Sequence, residues 1–254
     1  MINIIAVCKE NEFKMPRFFT EYANAKEIII TGEDARHIGR SLRMRIGEML
    51  TVCSCGIDYD CEIIKITDSE VFLKPIKIAP CASEPNIKIT LYQAMPKQDK
   101  LAEIVQKSTE LGVFEIVPVL TSRCIARPDK KDFEKKRHRL QKIAVSASKQ
   151  SGRGIIPQIQ PLLNWKEMLA DMQKQDLNIM LYEEKGGIHF HDVPLENHSH
   201  IGLFIGSEGG ISEQEAQEAV ASGCYQVWLG NRILRCETAP TVAISILMYL
   251  SKNL

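Results

Sequence analysis

Between residues 17 and 80 apolar and polar positions alternate in short runs, EIIIT, MLTVCSC, YDCEIIKIT and VFLKPIKI, each bounded by charged or turn-forming residues. Alternation of that length predicts half-buried strands, and four such runs predict a small barrel-like β domain. One stretch departs from the pattern. EDARHIGRSLRMR has helical spacing and places Arg36, Arg40 and Arg43 three and four apart on one face, with Ile38, Leu42 and Arg45 elsewhere around it. Prolines and small residues then gather in IAPCASEPN, residues 78 to 86, which puts a boundary between one domain at 1–80 and another at 81–254.

Past that boundary the period changes. Strand IKITLYQA leads to helix KQDKLAEIVQKSTELG, strand FEIVPVL and helix DFEKKRHRLQKIAVSASKQ; then come helix WKEMLADMQKQ, strands LNIMLY and IGLFIG, helix SEQEAQEAVASG, strand YQVWL and helix TAPTVAISILMYL. In the first of these helices Leu101, Ile104, Val105, Ser108 and Leu111 recur at helical spacing, and Gly112 supplies the stop. Apolar strands alternating with helices predict an α/β layer with a mostly parallel sheet and helices on both faces.

Composition adds little to this picture and charge adds more. With 44% hydrophobic, 25% charged and 6% aromatic residues, the 254-residue chain can bury a full core. The opening INIIAVC is too short for a signal segment, and no stretch reaches the roughly 18 apolar residues of a membrane span, so a cytoplasmic protein is expected. Eight scattered cysteines without a CxxC pair read as reduced thiols, and with His189-x-His191 and His198-x-His200 in a polar stretch they give no metal-ligand spacing. Net charge is zero, yet residues 97 to 153 hold 14 Lys and Arg against 7 Asp and Glu, and residues 154 to 228 hold 3 against 11. A basic segment of that kind can steer a phosphate backbone locally, or it can be a solvated helix face.

Ligands of open α/β sheets bind beyond the carboxyl ends of the strands, which directs attention to three turns. The first is LYEEKGG, 181 to 187; the second is GSEGG, 206 to 210; the third is LGNRILRCE, 229 to 237. Glycines in the second let a ligand approach bare backbone N–H groups, and Ser212 with Glu215 forms a capping box for the helix that follows. The loop lacks the GxGxxG and GxxxxGK[ST] patterns, which lowers NAD and ATP as ligands. In the third turn Arg232 and Arg235 lie three apart with Glu237 and Thr238 after them. Pro240 belongs in the first turn of a helix, so Thr238 is expected to be its N-cap, with RILRCE exposed above it and TVAISILMYL, apolar nearly all round, buried. Arg235 and Glu237 could also be a surface ion pair.

Taken together, these segments resemble the RsmE family of the SPOUT superfamily of methyltransferases over almost the whole chain. The resemblance rests on MPRFF at 15 to 19, GEDARHIGRSLRMRIGE at 32 to 48 and QAMPKQDKLAEIVQKSTELGVFEIVPV at 93 to 119. It continues in SASKQSGR at 146 to 153, IGSEGGISEQE at 205 to 215 and LGNRILRCETA at 229 to 239. Ser207 and Asn231 stand where the family usually has proline, and Cys236 where it has threonine. Met15 falls at the family's usual start, which makes residues 1 to 14 an extension.

The resemblance implies an N-terminal PUA-like β-barrel that binds RNA and a C-terminal SPOUT α/β domain tied in a trefoil knot. It also implies a homodimer whose active sites draw on both subunits. The implied activity is S-adenosylmethionine-dependent methylation of N3 of a specific uridine in 16S rRNA of the small ribosomal subunit, without a metal or a membrane. The cofactor would be held by Leu181, Tyr182 and Glu183, by Gly206, Ser207, Glu208, Gly209 and Gly210, and by Leu229, Gly230, Ile233, Leu234 and Thr238. Arg235 and Arg232 would stabilise charge on the uracil oxygens, with Glu237 or Glu208 as proton acceptor or Glu237 orienting an arginine. RNA contacts would come from Arg17, Arg36, Arg40, Arg43, Arg123 and Arg127 together with the KKDFEKKRHR segment. Ribose 2′-O-methylation by the same fold, and a non-catalytic RNA-binding assembly factor, are the competing readings.

Overall fold

The computed structural model describes residues 15–184 and 186–254, so the extension read at 1 to 14 lies outside the described residues. The chain divides into two units, residues 1–82 and 83–254.

In the first unit β1 (Arg17–Phe19), β2 (Ile28–Thr31), β3 (Met49–Ser54), β4 (Ile57–Ile66) and β5 (Glu70–Pro80) form one curled sheet in the order β1-β3-β4-β5-β2. β1 runs parallel to β3 and the remaining pairs are antiparallel. Alternation does the work expected of it: Ile28 and Ile30, Leu50 and Val52, Cys61 and Ile63, and Val71 and Leu73 turn inward to form the core with Phe18. β5 extends to Pro80, into the segment expected to be a linker.

The helix expected through Arg45 is shorter. α1 (Gly32–Arg36) is one turn, continued by a π turn over His37–Ser41. Ile38 fills the core beneath that turn, and the chain leaves helical geometry before Arg43, whose φ is 54°. Arg43 therefore does not share a helix face with Arg36 and Arg40. Wider π spacing around buried Ile38 is the physical reason the 3.6-residue projection fails here.

The second unit is the α/β layer. Its strands are β6 (Lys88–Ala94), β7 (Glu115–Leu120), β8 (Gln158–Ile159), β9 (Leu163–Asn164), β10 (Leu177–Leu181), β11 (His200–Ile205) and β12 (Tyr225–Val227). Its helices are α2 (Lys100–Glu110), α3 (Lys130–Ser151), α4 (Trp165–Met172), α5 (Glu213–Ala221) and α6 (Thr238–Leu250). The strand order is β12-β10-β11-β6-β7-β8, with β9 also on β7, and every pair is parallel. The chain builds outward from β6 through β7 to β8 and later fills the other side, so the order reverses between β6 and β11. Crevices at such a reversal, beyond the carboxyl ends of the strands, are where ligands of this architecture bind.

Two polar anchors hold the layer together. Buried Asn178 on β10 donates from Nδ2 to the Met172 carbonyl at 2.8 Å. The Arg153 guanidinium, almost wholly buried, grips Glu84 through Nε at 2.7 Å and Nη2 at 2.9 Å and donates from Nη1 to the carbonyls of Thr109 and Val113. Glu84 Oε1 also accepts from the Gly154 and Ile155 amides. The SASKQSGR motif thus ends in a structural clamp that fastens the chain after α3 to the end of α2.

Candidate functional site: a cavity walled by three loops

β10, β11 and β12 end side by side, and the loops that leave them converge on one cavity of about 650 Å³. Leu181, Tyr182 and Glu183 wall it from β10, Gly206 to Gly210 from β11, and Leu229, Gly230, Ile233 and Leu234 from β12. Arg232 and Arg235 stand on its rim among the same lining residues. Sequence reasoning did not single out Trp228 or Lys100, which also line it.

The GSEGG loop is a tight turn. Gly210 donates its N–H to the Ser207 carbonyl at 2.9 Å, and Gly210 has φ +69°, a left-handed conformation that costs a side chain strain. Gly209 is needed for a different reason: a Cβ there would lie 2.6 Å from the Arg123 carbonyl oxygen. Ser207, in the position of the family's proline, buries its hydroxyl at the cavity wall, and Oγ has no hydrogen-bond partner among the described residues.

Beyond this turn the Ser212–Glu215 capping box forms as the spacing indicated, with Ser212 Oγ accepting from the Glu215 amide. Glu215 reaches further and accepts from the amide and hydroxyl of Ser122 at 2.7 and 2.9 Å. Burial raises the Glu215 carboxyl, but the Ser122 amide and the Ser212 hydroxyl outweigh it and hold it below the usual carboxylate range. Arg123 donates from Nη1 to the Ile211 carbonyl at 3.1 Å, and Arg127 from Nη1 to the Thr121 carbonyl at 2.7 Å. These two arginines, expected among the RNA contacts, already brace the loop that supports GSEGG. Arg17 is likewise engaged, in a two-pronged pair with Asp58 at 2.8 and 2.9 Å beside the Cys53 thiol.

The third loop differs from its sequence reading at the helix start. Glu237, not Thr238, is the N-cap of α6; Glu237 has helical φ and ψ and no capping side chain. The amides of Thr238 and Ala239 both donate to the Arg235 carbonyl, so helical hydrogen bonding starts before Thr238 and places that residue in the first turn instead of at the cap. Thr238 is not among the cavity-lining residues. Nor is α6 buried all round: Ala243, Ile244, Leu247 and Met248 pack inside, while Val242 and Ile246 are half-buried and Tyr249 and Leu250 exposed.

Charge around the cavity is ordered by Lys100, the first residue of α2. Its Nζ lies 3.0 Å from Glu208 Oε1 and 3.1 Å from Glu237 Oε2. Glu208 also accepts from the Lys97 amide. Burial raises both carboxyls, yet each is held below the usual range, Glu208 by its own backbone N–H and Lys100, Glu237 by its own backbone N–H, the Cys236 thiol and Lys100. Burial, with the Glu237 carboxylate beside it, pushes the Cys236 thiol up to about 12, so it stays protonated. Arg235 keeps only a distant approach to Glu237, 4.0 Å, with its side chain 83% exposed. The surface-pair reading of these two residues therefore carries little weight. His189 and His191 stack on each other at 5.4 Å, and His189 packs against Trp228. Among the described residues no group of three or more His, Cys, Asp or Glu converges as a metal site would require.

A family model described as an RNA methyltransferase domain matches residues 83–248, and one described as an RNA methyltransferase PUA domain matches residues 30–76. A ribosomal RNA small subunit methyltransferase E from Bacillus subtilis is 33% identical over 247 residues, covering 92% of this chain and 96% of that protein. One from Buchnera aphidicola subsp. Acyrthosiphon pisum is 31% identical over 244 residues, covering 92% of this chain and 93% of that protein. The crystal structure of a ribosomal RNA small subunit methyltransferase E from Neisseria gonorrhoeae bound to S-adenosyl methionine superposes with a TM-score of 0.83 at 30% identity, covering 93% of this chain and 98% of that one. On the strength of a family match over most of the second unit and of relatives alike along nearly their full length, the chain belongs to the RNA methyltransferase family that includes the ribosomal RNA small subunit methyltransferase E proteins.

Proposed function

We propose that this protein transfers a methyl group from S-adenosylmethionine to N3 of a specific uridine in 16S rRNA of the small ribosomal subunit. The observation that carries the reading is the convergence of all three loops on one cavity at the carboxyl ends of β10, β11 and β12, in a chain 30% identical to a relative solved with that cofactor. Its volume falls within the roughly 300–1,000 Å³ usual for small-molecule sites. The residues fit the ligand: apolar Leu181, Leu229 and Leu234 flank it, glycines bare the backbone, and the unpartnered Ser207 hydroxyl offers a buried hydrogen bond.

When bound, S-adenosylmethionine supplies a methyl group already activated on a sulfonium. The loops then have to orient the target base, a service that can be worth about 7–11 kcal/mol. Uridine N3 carries a proton and reacts as its anion. Exposed Arg235, with Arg232 beside it, stabilises negative charge on the uracil oxygens and lowers the pKa of N3. Glu208 and Glu237 are poor proton acceptors at neutral pH, because both are held ionised by hydrogen bonds and Lys100. They act as fixed anions that place the loops, and the N3 proton leaves to water at the open rim.

RNA is held by the arginine face of the first unit, Arg36 and Arg40 foremost, and by the basic outer surface of α3. The stripe Val242, Ile246, Tyr249 and Leu250 on α6 is the apolar surface of a homodimer in this reading, and the second unit carries the trefoil knot of its superfamily. The protein works in the cytoplasm, where its RNA is assembled. Among the described residues no helix is long and apolar enough to cross a membrane. Calorimetry with S-adenosylmethionine, followed by label transfer to unmodified small subunits, tests the reading. Binding plus transfer supports it, and binding without transfer favours an assembly factor that kept the fold.

A further inference from the structure

We infer that Lys100 is a positioning residue that locks the GSEGG loop to the RILRCE loop, so that the cofactor-binding and base-facing walls of the cavity form one rigid unit. The inference rests on the methyltransferase reading above. Its geometry is direct: one ammonium lies 3.0 Å from Glu208, inside the second loop, and 3.1 Å from Glu237, at the end of the third. Among the described residues, this three-membered charge group supplies the ion pairs between the two loops. Take the ammonium away and two ionised carboxylates face each other across the gap, which drives the loops apart.

The position of Lys100 argues for function over stability. It is the first residue of α2, where the helix dipole disfavours a cation and welcomes an anion. A lysine placed for the sake of the helix would sit at the other end. Here the two carboxylates offset the unfavourable placement, and Glu208 completes the arrangement by accepting the Lys97 amide just before the helix. Lys100 also lines the cavity, with about a quarter of its side chain exposed, so a ligand entering the cavity meets the clamp itself. One lysine against two carboxylates leaves the group with net negative charge at the cavity wall, which suits a ligand that bears a sulfonium cation.

The test compares wild type with K100M, K100R and E237Q in S-adenosylmethionine affinity, methyl-transfer kinetics and thermal unfolding. K100M is expected to weaken cofactor affinity at least tenfold and to lower kcat as well, because the base-facing loop loses its register, with an unfolding temperature close to wild type. K100R should recover most of the affinity. In a K100M/E237Q cycle the two losses should fall well short of additive. If K100M does not fold, E237Q alone carries the expectation of a weaker cofactor Kd and a lower kcat. K100M within twofold of wild type in both quantities, or losses in the cycle that simply add, would overturn the clamp. A wild-type protein that neither binds the cofactor nor transfers methyl groups would instead overturn the functional reading beneath it.

Discussion

Arg235 and Glu237 stand two positions apart and live in different dielectrics. The guanidinium is out in solvent at the cavity rim, whereas the carboxylate side chain is only 13% exposed and tied to Lys100. In the proposed mechanism that contrast divides the labour: Arg235 meets the substrate and Glu237 holds the loop through Lys100. R235A is expected to reduce kcat/KM about 10²–10³-fold, the usual cost of one charge-stabilising donor, while cofactor affinity stays within twofold. Single-turnover kinetics with saturating cofactor would check this, and near-normal turnover would remove Arg235 from the mechanism. The arginines were legible from sequence because charge directly before an apolar helix is conspicuous. Lys100 was not, since its partners lie more than a hundred residues away in the chain and a lysine opening an amphipathic helix looks like ordinary surface.

Glu215 gives a residue-scale prediction with a pH sign. Its folded-state pKa is depressed, so its contribution to stability is complete above the ordinary carboxylate value of about 4.3 and is lost as pH falls through the lower folded value. E215Q should cost about 1–3 kcal/mol at pH 7, because the Ser122 amide and hydroxyl lose an ionised acceptor. Denaturant melts across the acid range should show the gap between wild type and variant closing below about pH 4. A gap that holds constant would mean the carboxylate charge is not what stabilises the loop.

At the scale of elements, period-2 alternation was enough to place β2 to β5, and long apolar runs were enough to place the parallel strands, since burial on one or both faces writes itself into the sequence. Helix ends were less legible. The π turn after α1 and the early turn before α6 both arise from where neighbouring groups are satisfied, Ile38 in its core and the Arg235 carbonyl in its loop, and neither leaves a local signature. The Glu84–Arg153 clamp was invisible for the same reason, being built from a segment read as linker and a helix end 69 residues away. E84A should destabilise the protein by about 3–5 kcal/mol, because it removes the carboxylate that balances the charge of a buried guanidinium. Equilibrium unfolding would measure it, and a loss under 1 kcal/mol would show that water takes over the bond. In the first unit, R36A/R40A should lower the slope of log affinity for RNA against log salt by about 1–2, the loss of two phosphate contacts. An unchanged slope would place the RNA elsewhere.

For the whole molecule, zero net charge conceals a basic stretch that includes α3 and an acidic one that includes α5. The three loops close on each other only because a sheet reversal brings β10, β11 and β12 together at one edge of the order. Order of strands is set by packing between distant segments, which is why periodicity could name the layer and not the cavity. The apolar stripe on α6 belongs to this scale as well. Y249E should shift sedimentation from dimer toward monomer, and a wild-type protein that is monomeric at micromolar concentration would contradict the proposed assembly. Methylation of a base nitrogen is read out by nucleoside mass spectrometry. Small ribosomal subunits lacking the modification are incubated with the protein and isotopically labelled S-adenosylmethionine, then digested and mapped. A single labelled nucleoside, 3-methyluridine, is expected from one site in 16S rRNA, and label on a ribose 2′ oxygen, or on no nucleoside at all, would overturn the proposed activity.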